Sequence, residues 1–211
     1  MKPENIESIY TTLFNEYPDA KSGLNYNTNF ELLIAVMLSA QCTDKRVNQV
    51  TEKLFKNVHT PDDMLKLGEN KLVDMIKSCG LYKTKSRNII NTCRILNNEF
   101  KGIVPDKFEE LIKLPGVGRK SANVVLIEAF KIPAIPVDTH VLRVSNRIGF
   151  AKANNPEQAE KQLAELLPKD MWLKMHHLII THGRRICKSR KPECKNCKIN
   201  VYCDFTKSIK K

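Results

Sequence analysis

Most of the chain carries its apolar residues at helical spacing, and no segment sustains the period-two alternation of a half-buried strand. In "TNFELLIAVMLSAQ" the run from Phe30 to Leu38 is apolar almost all round behind Asn29 as a cap, which predicts a helix buried in a core. "TDKRVNQVTEKLF" sets Val47, Val50 and Leu54 on one face behind a Thr43 cap. Thr60-Pro61 and Asn155-Pro156 each join a capping side chain to a proline suited to the first helical turn, and Gln158 completes a capping-box pattern with Asn155. Further helices are predicted at 69–78, 84–98, 106–113, 119–130, 139–148 and 170–185. The predicted class is all-α. Two prolines break the pattern in "KIPAIPVD", residues 131–138, and mark the expected domain boundary.

Composition and charge add a partner to this helical outline. Of the 211 residues 42% are apolar and 27% charged, enough for one compact body or two small domains sharing a surface. The formal charge of +12 favours a polyanion or an anionic surface, against the plainer reading of a merely soluble basic protein. Beyond Gly183, ten basic residues including Lys210 and Lys211 face only Glu193 and Asp204. No apolar run is long enough to span a bilayer, and "MKPENIESIYTTLF" lacks the basic flank and apolar stretch of a signal peptide. The expected location is therefore the cytoplasm, at the nucleoid in a bacterium.

Seven cysteines are present, an odd number that argues against a secreted disulfide framework. Cys42, Cys79 and Cys93 are scattered, whereas Cys187, Cys194, Cys197 and Cys203 crowd the tail. Four thiolates on short loops hold a metal centre, and the tail contains a single two-residue gap. Many four-cysteine zinc sites use two such short knuckles, while an iron-sulfur cube spreads its ligands more widely. Spacing alone leaves both open, beside chance clustering or disulfides, and leans towards iron-sulfur.

"DKFEELIKLPGVGRKSANVVLIEAF" predicts a helix, a tight turn containing Pro115, Gly116 and Gly118, and a second helix. Glycines there permit positive backbone angles and leave amides uncovered, so N–H groups near a helix start can receive a phosphate oxygen. An ordinary helix-to-helix turn is the plainer alternative. "GRKS" is superficially similar to a nucleotide-binding loop, but Arg119 and Leu114 occupy positions that such a loop gives to glycine, and no strand precedes them. An NTPase is therefore excluded. In "VDTHVLRVSNR", Asp138 stands where a helix should begin, and its local role is an N-cap for the helix from Thr139.

The run "LPGVGRKSA", the "VDTHVLRVSNR" block and the four-cysteine tail occur together with "LLIAVMLSAQ" and "GLYKTKSRNI". In this combination, across essentially the whole chain, the sequence resembles the endonuclease III family of helix-hairpin-helix DNA glycosylases that carry a 4Fe-4S cluster. The resemblance implies a two-lobed all-α helix-hairpin-helix DNA glycosylase fold with the DNA cleft between the lobes. Residues 22–132 would form a helical barrel domain with the hairpin motif at about 106–130. Residues 1–21 and 133–211 would form a discontinuous iron-sulfur cluster domain. It also implies Cys187, Cys194, Cys197 and Cys203 as cluster ligands, duplex DNA with damaged or abasic nucleotides as partner, and a monomer.

By the same resemblance Lys120 is the nucleophile and Asp138 the assisting carboxylate of a bifunctional glycosylase and abasic-site lyase acting on oxidised pyrimidines. An amine with a reference pKa of about 10.4 is almost wholly protonated at neutral pH. A helix start and the neighbouring Arg119 both disfavour the ammonium at Lys120, whereas an ionised Asp138 nearby would favour it. Asp138 is therefore expected to accept or relay a proton and to stabilise charge developing on the sugar. Gln41 and Leu81 are implied as the side chains that fill the gap left by a flipped nucleotide. Gly116, Val117, Gly118 and their amides would grip phosphate, with Arg119 and Arg143 as electrostatic support. Ser121 stands where the family commonly has threonine, and Cys42 where it has a small residue or threonine. The sequence offers no function for that cysteine.

Overall fold

Every regular element among the described residues, 2–209 of this computed structural model, is helical. Lys210 and Lys211, counted above with the basic tail, lie outside those residues. The helices are α1 (Pro3–Glu16), α2 (Asn29–Ser39), α3 (Asp44–Leu54), α4 (Pro61–Leu67), α5 (Glu69–Ile76), α6 (Tyr82–Phe100), α7 (Phe108–Leu111), α8 (Arg119–Ala129), α9 (Thr139–Ile148), α10 (Pro156–Leu166), α11 (Trp172–Arg185) and α12 (Asp204–Ile209). They sort into two units, Gly23–Ile132 and Met1–Ser22 with Pro133–Lys211.

In the Gly23–Ile132 unit, α2 is the central element. Every residue from Phe30 to Leu38 is buried, and α3, α6 and α8 pack around them. Each fully buried leucine or isoleucine here contributes roughly 1.5–3 kcal/mol relative to exposure. The cap is Thr28 and not Asn29, which is already helical. The Thr28 side chain accepts the Glu31 N–H at 3.1 Å, and the fully buried Glu31 carboxylate accepts the Asn27 N–H at 2.6 Å. His59 Nδ1 lies 3.0 Å from the same carboxylate, so its burial is matched by polar partners. The predicted caps Thr43 and Thr60 are observed, the latter as a reciprocal box with Asp63. α6 outruns its predicted bounds at both ends. It closes on Lys101 in the left-handed region, with the Gly102 N–H returning to the Leu96 carbonyl. The helix predicted at 106–113 shrinks to the four residues of α7, because Lys113 and Leu114 tighten into bonds to carbonyls three residues back ahead of Pro115.

In the other unit α9 packs against α10, α11 and α12, burying Val141, Val144, Ser145 and Ile148 on one face. Asn155 caps α10 by accepting the Gln158 N–H at 2.9 Å. The return bond from Gln158 takes the Asn154 N–H, one residue before the position a capping box would use. α11 follows a 3-10 turn at Lys169–Met171 and starts later than predicted. The chain start is tied into this unit: Lys174 Nζ donates to the carbonyls of Pro18 and Ala20, and Lys198 pairs with Glu16 at 2.6 Å.

Candidate functional site

The hairpin is built from anchored apolar residues on either side of an uncovered backbone. Leu114 and Val117 are buried, and the Val117 N–H closes the turn on the Leu114 carbonyl at 3.0 Å. Thr92 of α6 donates to the Pro115 carbonyl at 3.1 Å, which fixes the turn to the helix beneath it. The two glycines differ. Gly116 has φ +82°, and a Cβ there would come 2.8 Å from Asn88 Nδ2, so both conformation and space demand glycine. Gly118 is extended at φ −90°, and no atom lies within 4 Å of where its Cβ would stand. Of the two glycines that permit a positive backbone angle, only Gly116 adopts one. Gly118 keeps the surface bare at the N-cap of α8, where no side chain caps the first amides. Backbone N–H groups at such a helix start suit an anion.

Lys120 is the second residue of α8 and is exposed, whereas Ala122 to Ile127 turn into the core. Arg119 lies with its guanidinium carbon 4.9 Å from the Phe108 ring centre, which holds this cation against α7. Asp138 belongs to the other unit. Its Oδ1 accepts the N–H groups of His140 and Val141, both at 2.8 Å, so the N-cap predicted for it is formed. Its Oδ2 lies 3.4 Å from His140 Nδ1, too poorly directed to count as a hydrogen bond. One carboxylate oxygen is thus committed to the helix, and the second oxygen of the half-buried group is outside the cap.

Gln41 and Leu81 share a backbone state that few such residues adopt. Their φ values are 53° and 59°. A left-handed leucine costs on the order of 1–3 kcal/mol and persists only where its surroundings hold it. Leu81 is 57% exposed and stands clear of the core. The two loops adjoin, since a Cβ on Gly80 would stand 3.3 Å from the Gln41 carbonyl oxygen. Beneath them the buried Lys85 donates from Nζ to the Leu38 carbonyl at 2.8 Å, and its burial lowers its pKa.

The four tail cysteines converge. Burial pushes the Cys197 thiol up to about 11, with the Ile199 amide opposing and Cys203, Cys187 and Cys194 all adding charge repulsion. Among the described residues no three His, Cys, Asp or Glu side chains are set to hold a single metal ion. Arg147 Nη1 lies 3.5 Å from Cys187 Sγ and donates at 2.8 Å to the Lys188 carbonyl, while Nη2 donates to Ser189. Cys203 Sγ lies 3.2 Å from the Arg147 carbonyl oxygen, and Cys197 Sγ lies 3.6 Å from His182 Nε2. His182 is held neutral, its pKa lowered to about 4 by burial with Glu16 opposing, and Tyr17 OH stands 3.1 Å from its other nitrogen. Arg143 also faces inward, donating to the carbonyls of Gly183 at 3.0 Å and Cys187 at 3.2 Å. Sequence reasoning missed Arg147 and His182. The four-residue spacing of Arg143 and Arg147 on α9 was the available signal, since it puts both on one face.

The chain matches the family model described as HhH-GPD superfamily base excision DNA repair protein over residues 34–169. It is 47% identical to Endonuclease III of Rickettsia felis over 208 residues, covering 99% of this chain and 98% of that one. Endonuclease III of Escherichia coli K12 is similar at 47% identity, with the same coverage. Among solved structures, one described as a trapped Endonuclease III-DNA covalent intermediate superposes with a TM-score of 0.92 at 43% identity, covering all of both chains. A thermostable thymine-DNA glycosylase shares the fold, with a TM-score of 0.87 at 22% identity.

Proposed function

The chain belongs to the endonuclease III family of the HhH-GPD superfamily of base excision DNA repair proteins, and from that premise we propose which of its residues carry the reaction. It is a DNA glycosylase and abasic-site lyase that removes damaged pyrimidines from duplex DNA. In our reading Lys120 is the nucleophile, and it works while its amine is neutral. Its nitrogen bonds to C1′ of the flipped nucleotide as the bond from C1′ to the base breaks, and the base leaves with a proton. Opening of the sugar ring gives a Schiff base. Loss of a C2′ proton then expels the 3′ phosphate oxygen and cuts the strand. Asp138 Oδ2 takes up or relays protons and faces positive charge developing on the sugar, while Oδ1 stays with the helix cap.

The observation that carries this reading is the hairpin itself: an exposed lysine two residues beyond a bare Gly118, at a helix start whose amides have no side-chain cap. Backbone amides there would hold a phosphate, so the lysine side chain is not needed for the grip. The covalent DNA intermediate of the 43% identical structure supports an enzyme-borne nucleophile. Gln41 and Leu81 would enter the gap in the duplex, their held left-handed backbones keeping both side chains outward. Arg143, bonded to two carbonyls, supports the tail more than the DNA.

Cys187, Cys194, Cys197 and Cys203 would hold a 4Fe-4S cluster. Four thiols near enough to repel one another's charge form a donor set that suits such a cluster, and their single two-residue gap leans towards it over zinc. When bound, the cluster supplies ligand bonds that order the tail. Arg147, beside Cys187, would temper the negative charge of the thiolates. We further infer that the protein acts as a monomer on chromosomal DNA in the bacterial cytoplasm.

Borohydride added during incubation with abasic or oxidised-pyrimidine duplex should trap a covalent complex of the wild type. Lys120→Gln should bind the same duplex and trap nothing. A trapped adduct from folded Lys120→Gln at the wild-type level would remove Lys120 from the nucleophile's role.

A further inference from the structure

We propose that Cys42 and Cys79 are a reversible thiol-disulfide pair that, when oxidised, ties together the two loops carrying Gln41 and Leu81. The proposal rests on the reading that those two side chains fill the gap in the duplex. Cys42 lies in the turn that joins α2 to α3, with its N–H bonded to the Ser39 carbonyl at 3.1 Å. Cys79 lies in the turn that joins α5 to α6, with its N–H bonded to the Ile76 carbonyl at 2.8 Å. The turns meet where the backbone of Gly80 faces the Gln41 carbonyl, and Lys85 clamps the start of α6 to the end of α2. Across this junction each cysteine is one residue from the backbone atoms in contact, and the charge of Cys42 is among the influences felt by the Cys79 thiol. Neither is used by the repair chemistry, and each stands within two residues of a loop position that is.

The pair is asymmetric in a way that orders the chemistry. Cys42 is half-buried and reachable, whereas Cys79 is 1% exposed. A small disulfide therefore meets Cys42 first. The Cys42 thiolate, its proton lost to water, attacks one sulfur of the oxidant; a mixed disulfide forms and one thiol departs. Cys79 then attacks the Cys42 sulfur, the bond between the two protein sulfurs forms, and the second small thiol leaves with the Cys79 proton. Two protein thiols are oxidised and one small disulfide is reduced to two thiols. Burial first, then Cys42, hold the Cys79 thiol up, and the cations Lys85 and Arg46 pull it back down. The second step is therefore the slower one, helped by the junction that keeps the two turns side by side.

A cross-link one residue from Gln41 and two from Leu81 fixes the spacing between the loops. Entry into a duplex needs each side chain to adjust to the base it meets, so the oxidised form should engage lesions less well. The test uses the full-length, cluster-loaded protein treated with oxidised glutathione, with cluster absorbance followed to show that it survives. Peptide mapping should find residues 42 and 79 joined with loss of two hydrogens, reversed by dithiothreitol. Affinity for duplex carrying a reduced abasic analogue should fall on the order of tenfold and recover on reduction. Cys42→Ala, which removes the outer thiol, should bind equally well with and without oxidant. Glutathione left on Cys42 with no link to Cys79 overturns the proposal, and so does a link that leaves binding unchanged. Leu81→Ala in the reduced protein separates the premise from the proposal. If it binds and turns over as the wild type does, the gap-filling role fails whatever the peptide map shows.

Discussion

Asp138 caps α9 with one oxygen and in the proposed reaction works with the other, and a pair of substitutions separates the two roles. Asparagine keeps an acceptor for the His140 and Val141 N–H groups, so Asp138→Asn should melt close to wild type, bind lesion DNA and lose turnover. Alanine removes the cap as well, and Asp138→Ala should lose a further ~1 kcal/mol in urea unfolding. Full turnover by Asp138→Asn would sink the carboxylate's role. Cys93 gives a residue-scale prediction of another kind. It is fully buried in α6, and burial alone pushes its thiol from 9.0 up to about 12. Above pH 9 the unfolded chain releases this proton while the folded chain keeps it, so the unfolded state binds fewer protons. Stability should therefore fall as pH rises from 9.0 towards about 12, by on the order of a few kcal/mol in total. Cys93→Ala should start less stable at neutral pH because of the cavity it leaves. It should then lose less on going alkaline, so the two melting-temperature curves converge. Parallel curves would show that the thiol does not titrate in that range.

The hairpin is the element on which the proposed grip depends, and its two glycines should fail differently. Gly116→Ala places a Cβ at φ +82° and against Asn88, so it should destabilise the fold by about 1 kcal/mol or more. Gly118→Ala meets nothing and strains nothing, and costs at most about 1 kcal/mol as a poorer cap. Yet its methyl stands on the bare surface that a phosphate would approach. Calorimetry should show Gly118→Ala nearly as stable as wild type, and a titration with undamaged duplex should show weaker binding. Unchanged affinity would mean that the backbone near Gly118 does not face DNA. Elements of this kind were legible in sequence because their chemistry is local: Thr43, Thr60, Asn155 and Asp138 cap helices whose first residues they precede. Asn29 was a near miss, because Thr28 and Asn29 are both competent caps and the choice fell to the buried Glu31. Long-range pairs left no trace in the pattern. Nothing in sequence joins Cys42 to Cys79, or turns Arg143 from the outside to the Gly183 and Cys187 carbonyls, because each pairing exists only after distant segments have packed.

At the scale of the molecule, the two units differ in what holds them together. Gly23–Ile132 is organised around α2, with nine successive buried residues, and needs no metal to account for its order. The other unit gathers the chain start, α9 to α11 and a loop-rich tail. There the residues from Cys187 to Cys203 bury few large apolar side chains beyond Ile199. What fixes that tail is polar: Arg143 and Arg147 on its carbonyls, and Lys198 on Glu16. Such a segment has too little apolar burial to order itself, and ligand bonds would supply the difference. Gentle removal of the proposed cluster should therefore act unevenly along the chain. Hydrogen exchange should quicken in residues 187–203 and reach the end of α1, where Tyr17 and Glu16 lose His182 and Lys198 as ordered partners. Exchange in α2, α6 and α8 should stay slow. Uniform loss of protection across both units would show that the tail's centre supports the whole molecule and not one unit. Unchanged protection in the tail would show that its arginine and lysine contacts hold it unaided.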